Sequence, residues 1–103
     1  MEPIRSEYED DPDMLDIVQE FAAELPERAA ALEACLGGGD LATLQTLAHQ
    51  LKGAGGGYGF PQITGAAAQL ESALKAGAQA TELKKDLDAL CEVLRAVRVT
   101  EAR

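Results

Sequence analysis

His49 is the chain's sole histidine, and Lys52 follows it three residues later. Positions three and four apart on a helix share a face, so Gln45, His49, Lys52 and Gly53 fall on one surface. Gly56 and Gly57 extend the same side. An imidazole, an ammonium and bare backbone on one face suit nucleophilic phosphoryl chemistry. A neutral imidazole nitrogen is a competent nucleophile near neutrality, because histidine ordinarily titrates at about pH 6.5. Once phosphorylated, the ring carries anionic oxygens, and Lys52 would offset their charge. Such a transfer asks for in-line approach and electrostatic support more than for covalent machinery. Glycines at 53 and 56 leave no side chain to block a partner's active site.

The glycines carry a cost. An interior helical glycine is about 1 kcal/mol worse than alanine, so Gly53, Gly55, Gly56 and Gly57 would together cost roughly 3–4 kcal/mol if all are helical. A small domain is stable by only about 5–15 kcal/mol. Steric access and close helix packing are two reasons to carry them. The alternative is a helix that frays after Lys52.

Four helical segments must position these groups. Residues 1–10 are polar and without period, and read as a loosely packed tail ahead of one domain over 11–103. The first helix starts at Asp11-Pro12-Asp13, where Asp11 can cap and Pro12 suits the first helical position. Met14, Ile17, Val18, Phe21 and Leu25 recur at helical spacing. Pro26 then kinks or splits that helix, and a split would leave a short extra helix at the front. Ala29, Leu32, Cys35 and Leu36 continue the stripe to Gly37-Gly38-Gly39. Asp40 is a good cap for the next helix, whose buried stripe is Leu44, Leu47 or Ala48, Leu51 and Tyr58, with Leu41 leading it. A third helix starts at Pro61 after a break near Gly59, with Ile63, Ala67, Leu70 and Leu74 inward, and ends near Gly77. The last covers about residues 80–97, with Leu83, Leu87, Leu90, Leu94 and Val97. Nothing alternates with the period of a strand. Short loops between four helices predict an all-α, antiparallel up-down four-helix bundle.

The totals limit what such a bundle does. The chain has 103 residues, 47% apolar and 26% charged, as expected of one globular domain. Its net charge is -9, and residues 1–40 hold 12 acids against 2 bases. Between Leu41 and Leu70 the one formal charge is Lys52. An acidic chain without a basic patch argues against nucleic acid and anionic membranes. No apolar run approaches the roughly 18 residues that span a bilayer, and the acidic, polar residues 1–13 lead us to expect no signal peptide. A cytoplasmic protein is expected. Cys35 and Cys91 lie far apart among apolar residues and read as small buried hydrophobes, not as a disulfide. One histidine and two distant cysteines make no metal cluster, so no metal site is expected. The glycine run lacks the preceding strand and the Gly-Lys-Ser/Thr ending of a phosphate-binding loop.

The string His49-Gln50-Leu51-Lys52-Gly53, followed by Tyr58-Gly59 and then Leu70-Glu71, resembles the histidine-containing phosphotransfer (Hpt) domain family. Phe21, Leu32, Gly39-Asp40 and Leu47-Ala48 also stand where that family has such residues. The likeness covers about residues 12–95. It implies that His49 is the phosphoacceptor, that Lys52 stabilises the phosphohistidine and that Gly53 keeps the approach open. Gly59 would let the helix of His49 turn into the next. Glu71 would bond the non-reacting ring nitrogen and fix its tautomer, with Lys75 one turn further on. Gln45, Gly53, Gly56, Gly57 and Lys75 would meet the docking partner. Gly55-Gly56-Gly57 departs from the family, which more often has Ser, Ala or Asn there.

The resemblance further implies a phosphocarrier of a two-component phosphorelay, not an autonomous enzyme, since nothing in the chain suggests an ATP site. It would exchange its phosphoryl group with the aspartate of response-regulator receivers, alone or as a module of a hybrid histidine kinase. No cofactor of its own is expected, and Mg²⁺ would sit on the receiver's carboxylates. A monomer is expected. The competing readings are a bundle that docks receivers without transfer, and a helical enzyme using His49 as a general base.

Overall fold

The computed structural model describes residues 2–99. Met1 of the expected tail, and the expected domain limit at residue 103, lie outside them. Four helices follow one another: α1 Pro12–Gly37, α2 Leu41–Gly57, α3 Pro61–Lys75 and α4 Ala80–Ala96. Their ends follow from local chemistry. Asp11 Oδ1 accepts the Asp13 N–H at 2.9 Å, and Pro12 opens α1. Asp40 Oδ1 accepts the Thr43 N–H at 3.1 Å, and hydrogen bonding from Thr43 holds the Asp40 carboxyl below its ordinary pKa. α3 has no side-chain cap, but Pro61 in its first turn removes an N–H that would need a partner.

The connections are too short to cross the bundle, so successive helices run antiparallel. Each helix packs on the two beside it, α1 on α2, α2 on α3, α3 on α4 and α4 back on α1, and α2–α3 is the most extensive seam. The up-down four-helix bundle measures 45 × 23 × 19 Å. Its core is mainly aliphatic: Val18, Leu25, Ala29 and Leu32 meet Leu44, Ala48 and Leu51, then Ile63, Ala67 and Leu70, then Leu83, Leu87, Leu90 and Leu94. Cys91 joins this core, its Sγ 3.7 Å from Ala29 O, and burial pushes its thiol up to about 11. Cys35 is half-buried, and both thiols are free. No helix among the described residues is long and apolar enough to cross a membrane.

Several sequence expectations change in detail. α1 runs unbroken through Pro26, so the split does not occur and no separate short helix precedes the bundle. Pro26 is exposed, and the carbonyl that its ring leaves without the usual helical donor is that of the partly buried Ala22, one turn back. Ile17 and Leu41 are each 43% exposed. Ile17 sits one position off the buried line Val18–Phe21–Leu25, and Leu41 opens its helix before the buried face begins. Phe60, which no periodicity marks, is fully buried in the α2–α3 turn. Its N–H donates to Gly55 O at 2.7 Å. Phe21 stacks on Tyr58 with ring centroids 4.3 Å apart and lies 6.0 Å from Phe60, so three of the four aromatics fasten this turn to α1.

Residues 4–8, within the stretch expected to be a loose tail, are held to the same end of the bundle. Ile4 is buried and bridges Val97, with Ile4 N donating to Ala96 O and Arg98 N donating to Ile4 O, both at 2.9 Å. The Ser6 hydroxyl donates to Tyr58 O at 2.6 Å and accepts the Tyr8 N–H at 3.0 Å. Glu7 N donates to Gly59 O at 2.8 Å. The backbone groups of this segment thus find partners on the α2–α3 turn and the end of α4.

Gly59 has two reasons to be glycine. Its φ is +82°, and a Cβ there would lie 2.6 Å from Ser6 Oγ and 2.9 Å from Glu7 N. Gly77 has a φ of +70° but open space around it. Gly77→Ala should therefore cost about 1–2 kcal/mol, the ordinary penalty of that conformation. Gly59→Ala should cost about 1–3 kcal/mol more, because the N-terminal segment must also move. Urea denaturation of the two variants measures the difference, and equal losses would mean that residues 4–8 do not seat against Gly59 in solution.

Candidate functional site

The seam between α2 and α3 sets the site. A Cβ on Gly55 would lie 2.7 Å from Thr64 Oγ1 and 2.8 Å from Thr64 N, so glycine alone permits this approach. The Thr64 hydroxyl donates to Lys52 O at 2.9 Å. The two helices are thereby drawn together and tied beside the candidate residues. α2 stays helical to Gly57, which removes the option of fraying after Lys52. Gly53 and Gly57 face open space, and a Cβ on Gly56 would make only an ordinary contact with Thr64 at 3.6 Å. Packing therefore explains Gly55, while Gly53, Gly56 and Gly57 leave the surface bare.

Across the seam, α2 presents His49 and Lys52, and α3 presents Glu71 and Lys75. Glu71 Oε2 lies 2.7 Å from His49 Nδ1, and Glu71 Oε1 accepts from Lys52 Nζ at 2.7 Å. Lys75 Nζ stands 3.8 Å from Oε2. The Glu71 side chain is 5% exposed, whereas His49 is 69% exposed and Lys52 39%. A carboxylate so withdrawn from water is unfavourable unless paired, and here each oxygen has its own donor. The hydrogen bond from Lys52 holds the Glu71 carboxyl below its ordinary pKa against the opposing effect of burial, and His49 and Lys75 add to it.

This geometry fixes which ring nitrogen is free. An ionised carboxylate only accepts, so Nδ1 carries the hydrogen and donates to Glu71. In the neutral ring Nε2 then keeps its lone pair, on the edge away from Glu71. The arrangement can present a nucleophilic nitrogen to a large partner, with an ammonium one helical turn away.

The remaining candidates divide around the imidazole. Gln45 and Lys75 line an open groove of about 440 Å³ with Ala42, Thr46, His49 and Glu71. Gly53, Gly56 and Gly57 lie exposed on the other side, toward the end of α2. Lys75 is 59% exposed. Thr64 was not marked by the sequence, and its only signal is a hydroxyl one position past the buried Ile63. Among the described residues no group of His, Cys, Asp and Glu could hold a metal ion.

The Glu71 pairing carries a pH signature. Its carboxyl ordinarily titrates at 4.5 and is held lower in the folded chain. The stabilisation is therefore complete above about that pH and is lost as pH falls through the lowered value. Asp40 and Glu33, also lowered, add to the same acid limb. Denaturation midpoints of wild-type and Glu71→Gln protein across the acid range isolate the Glu71 share. The substituted protein should be less stable at neutral pH, and the difference should shrink as pH falls. A gap that does not change with pH would mean that the pair contributes nothing.

A scan against protein-family models matches the Hpt domain over residues 16–99. Comparisons with curated proteins and with solved structures returned no match. Hpt domains are phosphocarrier modules that work in histidine phosphotransfer and have no kinase site of their own. The matched span takes in all but the first turn of α1, the whole α2–α3 seam and both sides of the His49–Glu71 contact, and the chain belongs to the Hpt domain family.

Proposed function

We propose that Nε2 of His49 accepts a phosphoryl group and exchanges it with the aspartate of response-regulator receiver domains. The observation that carries this reading is the bond from His49 Nδ1 to the buried Glu71 carboxylate at 2.7 Å, which leaves Nε2 as the free nucleophile on a 69% exposed side chain. On loading, Nε2 attacks phosphorus in line with the aspartyl oxygen. The N–P bond forms as the O–P bond breaks, and the aspartate leaves as a carboxylate. Lys52 then offsets the charge of the phosphoryl oxygens. Gly53, Gly56 and Gly57 admit the receiver, and Gln45 and Lys75 meet its other side. Mg²⁺ belongs to the receiver's own carboxylates, so the phosphocarrier contributes no metal ligand and no ATP site. The domain works as a monomer, free-standing or within a hybrid histidine kinase.

Phosphorylated receivers from the same organism test this. Wild-type protein should take an acid-labile, alkali-stable label, and His49→Gln should take none while still docking. Docking without label in the wild type would leave a receiver-binding bundle that does not transfer. Lys52→Gln should slow transfer about a hundredfold, the lower end of what a lost charge-stabilising donor costs. Gly53→Ala separates stability from access. It should stabilise the fold by about 1 kcal/mol, since the new methyl group meets nothing within the chain. It should nonetheless slow transfer by obstructing the receiver. Unchanged transfer by Gly53→Ala would remove this side of α2 from the docking surface.

A further inference from the structure

We propose that Ser6 is a positioning residue for receiver docking: its hydroxyl ties the N-terminal segment to the end of α2 and so keeps the glycine-rich docking face helical. The inference rests on the reading that Gly53, Gly56 and Gly57 meet the receiver.

The end of α2 is weak by composition. Glycine is the poorest helix former after proline, and positions 53, 55, 56 and 57 are all glycine. No basic residue in the last turn offsets the negative end of the helix dipole. Gly53 and Gly57 face open space, so no packed side chain makes up the loss there. A bare docking face thus weakens the helix that displays it, and that helix must be held from beyond the run.

The hold is on the carbonyls. The last carbonyls of a helix lack donors within it. Ala54 O accepts from Tyr58 N at 3.0 Å and Gly55 O from Phe60 N at 2.7 Å, both inside the α2–α3 turn. The next ones are satisfied by a segment 52 residues earlier in the chain. Tyr58 O accepts the Ser6 hydroxyl at 2.6 Å, and Gly59 O accepts the Glu7 N–H at 2.8 Å. Ser6 is buried, and its Oγ also accepts the Tyr8 N–H at 3.0 Å, which leaves the hydroxyl hydrogen for Tyr58. The segment is itself anchored at both ends. Ile4 pairs with Ala96 and Arg98 at the end of α4, and Asp11 N donates to Tyr8 O at 3.1 Å where α1 begins. A tie to so fixed a segment resists the unwinding that glycines favour. His49 lies nine positions before Tyr58, about 13 Å along the helix axis, where Glu71 holds it. Loss of the tie therefore frays the docking face and leaves the imidazole in place.

Ser6→Ala separates docking from chemistry. Transfer from a phosphorylated receiver is measured as kcat and KM, beside labelling by phosphoramidate, a small-molecule donor that needs no docking face. KM for the receiver should rise about fivefold with kcat held, since a face formed for part of the time binds in proportion to that part. Phosphoramidate labelling should keep the wild-type rate. Amides of residues 56–58 should exchange hydrogen about fivefold faster, the loss of one hydrogen bond, while those at the centre of α4 do not change. Ser6→Ala/Gly57→Ala should recover that protection, because the added methyl group meets nothing within the chain and favours the helix. Should Ser6→Ala not fold alone, the double variant compared with Gly57→Ala carries the same test. An unchanged KM in Ser6→Ala, with wild-type transfer intact, overturns this inference alone. So does a fall in phosphoramidate labelling that matches the fall in transfer, which would mean a general loss of fold. Wild-type protein that labels with phosphoramidate but accepts from no receiver removes the docking reading and this inference together.

Discussion

A carboxylate placed out of water between two helices is the constraint around which this molecule is arranged. Glu71 is 5% exposed, and it tolerates that position because His49, Lys52 and Lys75 converge on it from α2 and α3. The same contacts that make the buried charge acceptable orient the imidazole. Structure and chemistry are therefore joined at one side chain. A change that loosens α2 from α3 must disturb both, because it separates the carboxylate from its donors.

The rest of the fold keeps those two helices in register. Gly55 lets the backbones approach, and the Thr64 hydroxyl bonds the α2 carbonyl at Lys52. At the end of the seam the chain must reverse within three residues, between Gly57 and Pro61. Phe60 fills the turn, Phe21 and Tyr58 stack against it, and residues 4–8 cross over it to reach the end of α4. Long helices with short turns leave little freedom to slide, which suits a site whose partners are divided between two of them.

The charge distribution complements this. α2 offers a single formal charge, Lys52, while the acids concentrate in residues 1–40. The face proposed for docking is thus bare, nearly uncharged and locally cationic. Such a face suits a partner that brings carboxylates and a phosphoryl group.

The sequence by itself determined the helices, their antiparallel order and the placement of His49 and Lys52 on one face. Helical period, caps and breakers are local properties that a chain of letters carries in full. It also marked Glu71, but through resemblance and not through any pattern of its own. Only the tertiary structure decided that Glu71 reaches His49 and Lys52 with separate oxygens, because the rotation and offset of one helix against another are not written in a period of 3.6 residues. It decided the glycine run in the same way, giving Gly55 to packing and leaving Gly53, Gly56 and Gly57 at the surface. It made Phe60 a core residue and bound residues 4–8 to the bundle. Neither lies in a periodic segment, so their burial depends on which distant backbone groups and rings the fold brings beside them.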